Sequence, residues 1–320
     1  MSPDRKSALL GLLGALGAGI LWGVHRFGSP HAILIVMNNP CITAVRRAGC
    51  LTAVCLAASC LFDGYRLNAA EKQRTAPPGK HHFDKTISRE VLENYLSRSI
   101  TMEGLLNGRG DLDDNIRMLK SIGAKFIGRS LCLWGGEANL LRHLERVKQQ
   151  LPQVHAADPD MILQACIFEI VTTQVEQVPV PDWAFVALGQ PVEKRSFRYA
   201  DMLYPDGRFK DHWRSGQSVP DVSRPETKLW FYFLAASFID LGIEAIHFGQ
   251  TELMNGNDRP LDHYSQVLTL IRSYAAQHAR RHMVLCDSHV PSGGLVREGQ
   301  LLIDNHTAAP SPGIPGANGG

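Results

Sequence analysis

The chain lacks an excess of charge of either sign. Its 320 residues include 33 basic and 31 acidic side chains, which gives a formal net charge of +2. Proteins that bind nucleic acids usually carry a basic patch or stripe, so this balance predicts no nucleic-acid partner. Charged residues make up 20% of the chain and hydrophobic residues 44%. That composition is typical of a globular protein and excludes a wholly disordered chain.

Cys-x-x-Cys pairs are also absent, which argues against a zinc knuckle or a thioredoxin-like redox motif. Four of the seven cysteines fall within the first 60 residues, inside an apolar stretch. The other three, Cys132, Cys166 and Cys286, are far apart in the sequence, and each lies in an apolar run. Free cysteine is among the most buried residue types, so we expect these three to behave as small buried hydrophobic residues.

Two uncharged apolar runs occupy the N-terminal region. Residues 8–24 follow two basic residues and are at the lower length limit for a membrane-spanning helix. The second run, residues 48–62, is shorter; it follows Arg46 and Arg47 and contains small residues just before Cys60. This is the form of a secretory or lipoprotein signal peptide, which would start at Met37. A signal peptide and a membrane anchor both predict a secreted, periplasmic or membrane-anchored protein that meets the membrane only through this segment.

Residues 1–62 are therefore interpreted as a signal peptide or membrane-anchor region, and the polar residues 63–86 as a linker. From residue 87 to residue 306, short runs rich in β-branched and aromatic residues alternate with amphipathic stretches of helical length. Such alternation is typical of βα units and a parallel sheet. Residues 307–320 have no apolar periodicity and are predicted to be a disordered tail.

Six strands are predicted, at residues 99–106, 124–134, 161–170, 243–248, 282–287 and 301–304. The helix after strand one is expected to begin with a cap at Asp111 and to end at Gly123, and a capping box of Ser223 and Glu226 is expected to open a later helix. The pattern predicts an α/β fold of the (β/α)8 TIM-barrel type. Only about six βα units are recognised, and residues 87–306 fall short of the ~250 residues usual for such a barrel, so the barrel is predicted to be incomplete. An open doubly wound sheet is the alternative, but no strand is followed by G-x-G-x-x-G or G-x-x-x-x-G-K-[ST].

Polar residues follow every predicted strand. In a parallel α/β fold the active groups lie at the carboxyl ends of the strands, where buried ionisable side chains are costly unless they are paired or used. Aromatic residues in or beside the loops can stack on sugar rings or can form a local core; they are Trp134, Trp183, Phe185, Tyr199, Tyr204 and Trp213. The candidate site residues are Glu103, Arg129, Trp134, Glu169, Gln250, Glu252, Asp287, His289, Asp304 and His306.

This layout resembles the TIM-barrel glycoside hydrolases, in particular the clan with one catalytic glutamate after strand four and another after strand seven. The residues that match are Gln250-Thr251-Glu252 after IEAIHF, and Arg129 in strand two. The clan usually has asparagine where Thr251 stands, and the strand-seven glutamate has no counterpart here. The resemblance implies a carbohydrate substrate, no cofactor, and Glu252 as the general acid/base.

Glycosidic cleavage requires two carboxyl groups that flank the bond. Glu169, Asp287, Glu103 and Asp304 are the possible partners of Glu252, and Glu169 is expected first because strand three neighbours strand four. We then expect Arg129, Trp134, Gln250, His289 and His306 to bind substrate, with Glu103 and Asp304. Two alternatives remain. One is a metal-dependent sugar isomerase or hydrolase of the xylose-isomerase-like barrel type, with Glu169, Glu252, Asp287 and His289 around a divalent ion. The other is a non-catalytic carbohydrate-binding protein or an inactive fragment.

Overall fold

The structure is a computed structural model that describes residues 79–289 and 294–305. These residues belong to the second of two compact units, which begins at Pro78. The predicted signal or anchor region, most of the predicted linker, His306 and the C-terminal tail lie outside the described residues. Within the described part, no helix is both long enough and apolar enough to cross a lipid bilayer.

A five-stranded parallel sheet forms the centre of the domain. Its strands are β1 (Ser99–Thr101), β2 (Phe126–Leu131), β3 (Ile162–Cys166), β6 (Ala245–Gln250) and β7 (Leu285–His289). Two short antiparallel pairs accompany it, formed by β4 (Val171–Thr172) with β5 (Gln217–Ser218) and by β8 (Val296–Arg297) with β9 (Gln300–Leu301). The helices are α1 (Arg89–Leu96), α2 (Leu112–Ile122), α3 (Leu140–Ala157), α4 (Asp182–Ala187), α5 (Tyr199–Met202), α6 (Pro225–Leu241), α7 (Thr251–Met254) and α8 (Asp262–His278).

The order of the strands in the sheet distinguishes the two predicted α/β folds. Each strand of the main sheet pairs with the strand that follows it, in the order β1-β2-β3-β6-β7. A doubly wound sheet reverses direction at a switch point, whereas a (β/α)8 barrel adds each strand beside the previous one. The sheet is therefore a curled half-barrel with helices, consistent with the prediction of an incomplete barrel.

Alternation along the strands gives the sheet two different faces. Ile127, Leu163 and Ile246 point to the outer face, where they share one core with buried residues of α2, α3, α6 and α8. The inner face has its own cluster at the amino ends of the strands, built from Phe126, Ile162, Ala245 and Leu285 together with Tyr95 of α1 and Phe83. Helix α1 thus covers the inner face at the amino ends of the strands. At the carboxyl ends of the strands, the inner face carries other side chains.

Local signals explain where several helices begin and end. The Asp111 side chain accepts a hydrogen bond from the backbone N–H of Asp114 at the start of α2, and Gly123 ends that helix at φ 65°, both as predicted. The predicted capping box at α6 is wrong. Arg224 is the N-cap residue, and the Glu226 carboxylate instead accepts hydrogen bonds from the Arg195 guanidinium and the Arg198 backbone.

Three other expectations differ from the structure. The sixth strand is not an element of the sheet, because Leu301 belongs to the β8-β9 hairpin and only Asn305 forms a bridge, with Asp287 of β7. Phe83, within the predicted polar linker, is 5% exposed and packs against α1. Cys132 and Cys166 form a disulfide between the ends of β2 and β3, whereas Cys286 is free and buried as expected.

Candidate functional site

Buried polar side chains follow the apolar residues on the inner face of the sheet. Gln164, His247 and Asp287 each lie two positions after an apolar residue of that face, so alternation places them on it too. Nε2 of Gln164 donates a hydrogen bond to Oδ1 of Asp287 at 2.6 Å, and Nδ1 of His247 lies 3.0 Å from Oδ2. All three side chains are 1% exposed. Asp287 therefore connects β3, β6 and β7 and fixes the orientation of the His247 ring.

The other ring nitrogen of His247, Nε2, faces no protein partner among the described residues. Nε2 is buried and has no hydrogen-bond partner among the residues that the structure describes. The ring contacts His289 at a centroid distance of 4.5 Å and Phe168 at 6.0 Å.

Arg129 crosses the inner face above this layer. The pairing of β2 with β3 is irregular between Ile127 and Leu131, and Arg129 has φ 52° at that irregularity. Its backbone N–H donates to Oε1 of Gln164 at 3.0 Å, and its Nη2 lies 2.6 Å from Nε2 of His289. The irregular strand therefore directs the guanidinium from β2 towards β7.

His289 lies at the carboxyl end of β7, where its surroundings disfavour a charge. Burial lowers its pKa from the ordinary value, and the neighbouring His247 and the Arg129 guanidinium lower it further. A neutral imidazole can accept a hydrogen bond from Arg129 at Nε2. Glu103 follows β1, is exposed, and has a carboxylate oxygen 3.9 Å from Nη1 of Arg129. The structure thus brings together three predicted substrate-binding residues, Glu103, Arg129 and His289.

Glu169 is a buried carboxylate beyond the end of β3, with 3% exposure. It accepts two hydrogen bonds from Gln250 at 2.8 Å each, one from the backbone N–H and one from the side-chain amide. A Cβ atom at Gly249, which has φ 42°, would overlap Oε2 of Glu169. The lack of a side chain at Gly249 therefore leaves the space that the carboxylate occupies.

Glu252 lies two residues after Gln250, in the first turn of α7, and is half-buried. Two residues of chain span at most about 7 Å. Because Gln250 is hydrogen-bonded to the Glu169 carboxylate, the short segment from Gln250 to Glu252 starts in contact with Glu169. Two of the sequence-predicted catalytic residues thus come from neighbouring strand ends.

Aromatic rings border the same end of the sheet. Trp134 is 50% exposed, and its ring contacts those of Phe168 and Trp213 at 5.1 Å each. Nε1 of Trp213 donates to the backbone oxygen of Glu169 at 3.0 Å, which joins the aromatic group to the segment that carries this carboxylate. The other predicted aromatic residues lie elsewhere: Phe185, Tyr199 and Tyr204 are buried in the core, and Trp183 packs on Tyr232 and Phe233 of α6.

Asp304 has contacts of a different kind. Its carboxylate accepts hydrogen bonds from the backbone N–H of Cys286 at 2.8 Å and from Arg272 of α8 at 3.0 Å. These contacts tie the segment after β9 to β7 and to the helix layer. His306, predicted beside it, lies outside the described residues.

Sequence reasoning did not select three residues that contribute to this site. His247 and Gln164 stand in the middle of apolar runs, and Phe168 follows such a run. A period-two count on the predicted strands could have found the first pair, because Gln164 and His247 interrupt one face of otherwise apolar strands. No comparable signal marks Phe168.

The alternative prediction from the sequence is a divalent-metal site. Within residues 79–289 and 294–305, no three His, Cys, Asp or Glu side chains converge in a way that could hold a metal ion. Asp287 is hydrogen-bonded to Gln164 and His247, and Glu169 to Gln250. The proposed ligand set of Glu169, Glu252, Asp287 and His289 therefore does not form one cluster.

Comparison with known proteins finds a distant structural likeness. No protein-family model matches the chain, and no curated protein matches it. Among solved structures, it is similar to the isomalto-dextranase of Arthrobacter globiformis T6 complexed with panose, at 15% sequence identity and a TM-score of 0.36. The match covers 60% of this chain and 35% of that chain, so the chain spans about a third of the enzyme's length. The α/β half-barrel assignment therefore rests on the strand order and pairing of the chain itself.

Proposed function

We propose that this protein binds carbohydrate at the carboxyl end of its half-barrel and cleaves glycosidic bonds there. The observation that carries the proposal is the contact between Glu169 and Gln250, which connects a buried carboxylate on β3 to the segment bearing Glu252. In this proposal Glu252 is the general acid/base, and Glu169 is the second carboxylate. Two carboxyl groups about 5 Å apart would support retention at the sugar carbon, and a wider pair would support inversion.

The two carboxylates have different surroundings, as different roles require. Glu169 is buried and accepts two N–H hydrogen bonds, which suits a carboxylate that stabilises or attacks the sugar carbon. Glu252 is half-buried, so a proton on its carboxyl group can exchange with water between turnovers. It would protonate the leaving oxygen as the glycosidic bond breaks. In a retaining reaction Glu169 would form a bond to the sugar carbon in that step, and Glu252 would then deprotonate the water that breaks this bond.

The aromatic group supports a sugar as the ligand. Trp134 presents an exposed ring beside the polar residues, and flat rings stack on the apolar faces of sugars while charged and amide groups bind the hydroxyls. Arg129 and Glu103 offer a donor and an acceptor next to it. We assign Asp287 to the orientation of His247 instead of to bond cleavage, because it is 1% exposed and already bound by two side chains.

We also propose that the protein works outside the cytoplasm. The Cys132–Cys166 disulfide supports this, since structural disulfides persist mainly in oxidising compartments. The apolar N-terminal runs of the sequence are consistent with export.

Hydrolysis assays with matched variants test the proposal. The full chain would be incubated with dextran, xylan, starch and soluble cellulose derivatives, and release of reducing ends would be measured. We expect Glu252→Gln and Glu169→Gln each to lower the turnover of the hydrolysed polymer by at least ~100-fold, since removing an acid/base costs about that much. Glu145→Gln, on the exposed side of α3, is the control and should retain wild-type turnover.

Binding measured on the same variants separates the two remaining interpretations. A non-catalytic carbohydrate-binding protein would bind oligosaccharides without releasing reducing ends, in the wild type as well as in the variants. Normal hydrolysis by Glu252→Gln would contradict the assignment of the acid/base.

A further inference from the structure

A row of partly exposed rings leads away from the candidate carboxylates. From Trp134 it continues to Trp213 at 5.1 Å, then to His212 at 4.6 Å and to Phe209 at 5.4 Å, measured between ring centroids. Trp134 and His212 are exposed, and Trp213 and Phe209 are half-buried. Phe209 and Trp213 pack against the core, and Tyr204 at the far end of the row is 3% exposed. Trp134 and His212 are therefore the two rings of the row that present most surface to solvent.

The loop that carries three of these rings is held in a strained conformation. Phe209 has φ 56° and Asp211 has φ 54°, which non-glycine residues seldom adopt. The side chain of Asp211 accepts a hydrogen bond from the Gly216 N–H at 2.6 Å, and its own N–H donates to Ser218 at 2.8 Å. Such strain persists only where the surroundings over-determine it, and it is concentrated at functional sites.

The row is attached to the site through Trp213 and Trp134. Nε1 of Trp213 donates a hydrogen bond to the backbone oxygen of Glu169, and the Trp134 ring contacts that of Phe168. Trp134 and His212 both contact Trp213, nearly perpendicular to it, with interplanar angles of 73° and 85°. The centroids of the two exposed rings are therefore separated by no more than the two contact distances, 5.1 and 4.6 Å, laid end to end. Rings this close together can contact neighbouring sugars of one chain.

We propose that Trp134 and His212 are consecutive sugar platforms beside Glu169, so that the site takes a chain of sugars in preference to a single sugar. This inference rests on the proposed function, because it extends the same site. Trp134 would stack on the sugar nearest the carboxylates, and His212 would contact a sugar further along the chain. The rigid loop would lower the entropy cost of binding, because its rings are already in position.

Calorimetric titration with sugars of increasing length tests the platforms. The Glu252→Gln full chain would be titrated with malto-, isomalto-, cello- and xylo-oligosaccharides of one to six residues. We expect affinity to rise at least ~10-fold from the monosaccharide to the longest member of the series that binds. His212→Ala should remove a three- to tenfold part of that gain while leaving the affinity for short members unchanged; stacking contacts are worth about this much.

Trp134→Ala and a matched control complete the experiment. Trp134→Ala should weaken binding of all members of the series, whereas Trp183→Ala should not, because that exposed tryptophan packs on α6. If sugars bind equally well at every length, or if His212→Ala changes nothing for the longest, the platforms are refuted and the proposed function stands. If no sugar of any series binds, the proposed function itself fails. Circular dichroism of each variant would verify that it is folded.

Discussion

Gln250 donates two hydrogen bonds to the Glu169 carboxylate, one from its backbone and one from its side chain, each 2.8 Å long. The chain beyond β3 is thereby joined to the carboxyl end of β6 through the Glu169 carboxylate, which is a candidate catalytic group, and not through an apolar contact. Any change that moves Glu169 should also move the turn that leads into α7 and Glu252. The positions of the two candidate catalytic carboxylates, Glu169 and Glu252, therefore depend on each other.

Gly249→Ala should therefore impair the site more than an ordinary glycine substitution. The new Cβ would overlap Oε2 of Glu169, and alanine is also strained at φ 42°. We expect a loss of about 1–3 kcal/mol in the free energy of unfolding and a loss of hydrolysis. Gly189→Ala is the control, because φ there is 65° and nothing lies within 4 Å of the added atom. Equal effects of the two substitutions on activity would contradict the role of Gly249.

The contact between Arg129 and His289 predicts that substitution of Arg129 changes the pKa of His289. His289 has a lowered pKa through burial and through the charges of His247 and Arg129. Arg129→Gln removes the cation 2.6 Å away, so we expect the His289 pKa to rise, with burial still holding it below the ordinary value. An NMR titration of the His289 ring measures this. Arg117→Gln, on the exposed face of α2, should leave the titration unchanged, and an unaltered His289 in Arg129→Gln would contradict the contact.

Glu244 is a structural carboxylate and should behave unlike Glu169. Its side chain is fully buried and is bound by Arg280 at 2.6 Å and by Arg281 at 2.6 and 2.7 Å. Glu244→Ala leaves two arginines uncompensated, and we expect a loss of about 3–5 kcal/mol in chemical unfolding. Glu93→Ala, which breaks the exposed pair with Arg89, should cost at most about 1 kcal/mol. A loss for Glu244→Ala as small as for the control would contradict the buried pair.

His155 should make the stability depend on pH. Burial lowers its pKa to about 4, with Arg280 acting in the same direction. In the unfolded chain the ring has its ordinary pKa of ~6.5, so below that pH the unfolded state binds more protons than the folded one. The stabilisation is complete above pH ~6.5 and is lost as the pH falls towards about 4, by up to roughly 2 kcal/mol, since part of the ring meets water.

Unfolding by urea at a series of pH values would measure this dependence. His155→Leu should flatten the curve between pH ~6.5 and 4. His82→Leu, at an exposed position, should leave it unchanged. A curve for His155→Leu that falls as steeply as the wild type would show that another group is responsible.

The disulfide predicts a redox-dependent stability. Cys132 and Cys166 are separated by 34 positions, and closing a loop of that size is worth about 3–4 kcal/mol in the chain-entropy description. The double variant Cys132→Ser, Cys166→Ser should unfold at correspondingly lower denaturant concentration. Dithiothreitol should destabilise the wild type and have no further effect on the double variant. A wild type insensitive to dithiothreitol would contradict the cross-link.

The main features of the fold could be predicted from local patterns. Apolar runs located all five strands of the sheet, and Asp111 and Gly123 gave the limits of α2, because caps depend on neighbouring residues. Features that depend on distant partners were not predicted. Glu226 fits a capping box locally, yet in the fold the Arg195 guanidinium binds it. The disulfide joins two strands that only the sheet brings together.

In the candidate site, too, features set by sequence position could be predicted, whereas features that depend on distant partners could not. Residues at strand ends, including Glu169 and His289, were found by position alone, and Arg129 was found as a charge inside an apolar strand. His247 was missed because its strand is apolar around it, and its importance depends on Asp287 across the sheet. Asp304 was selected by position, but its hydrogen bonds to Cys286 and Arg272 could be seen only in the fold.

A crystal structure of the Glu252→Gln variant with a bound oligosaccharide tests the central claim most directly. The ligand would be the member of the titrated series that binds most tightly. The account predicts one sugar ring stacked on Trp134 and a glycosidic oxygen between Glu169 and the residue at position 252. Sugar bound at another surface, with Trp134 and Glu169 unoccupied, would contradict it.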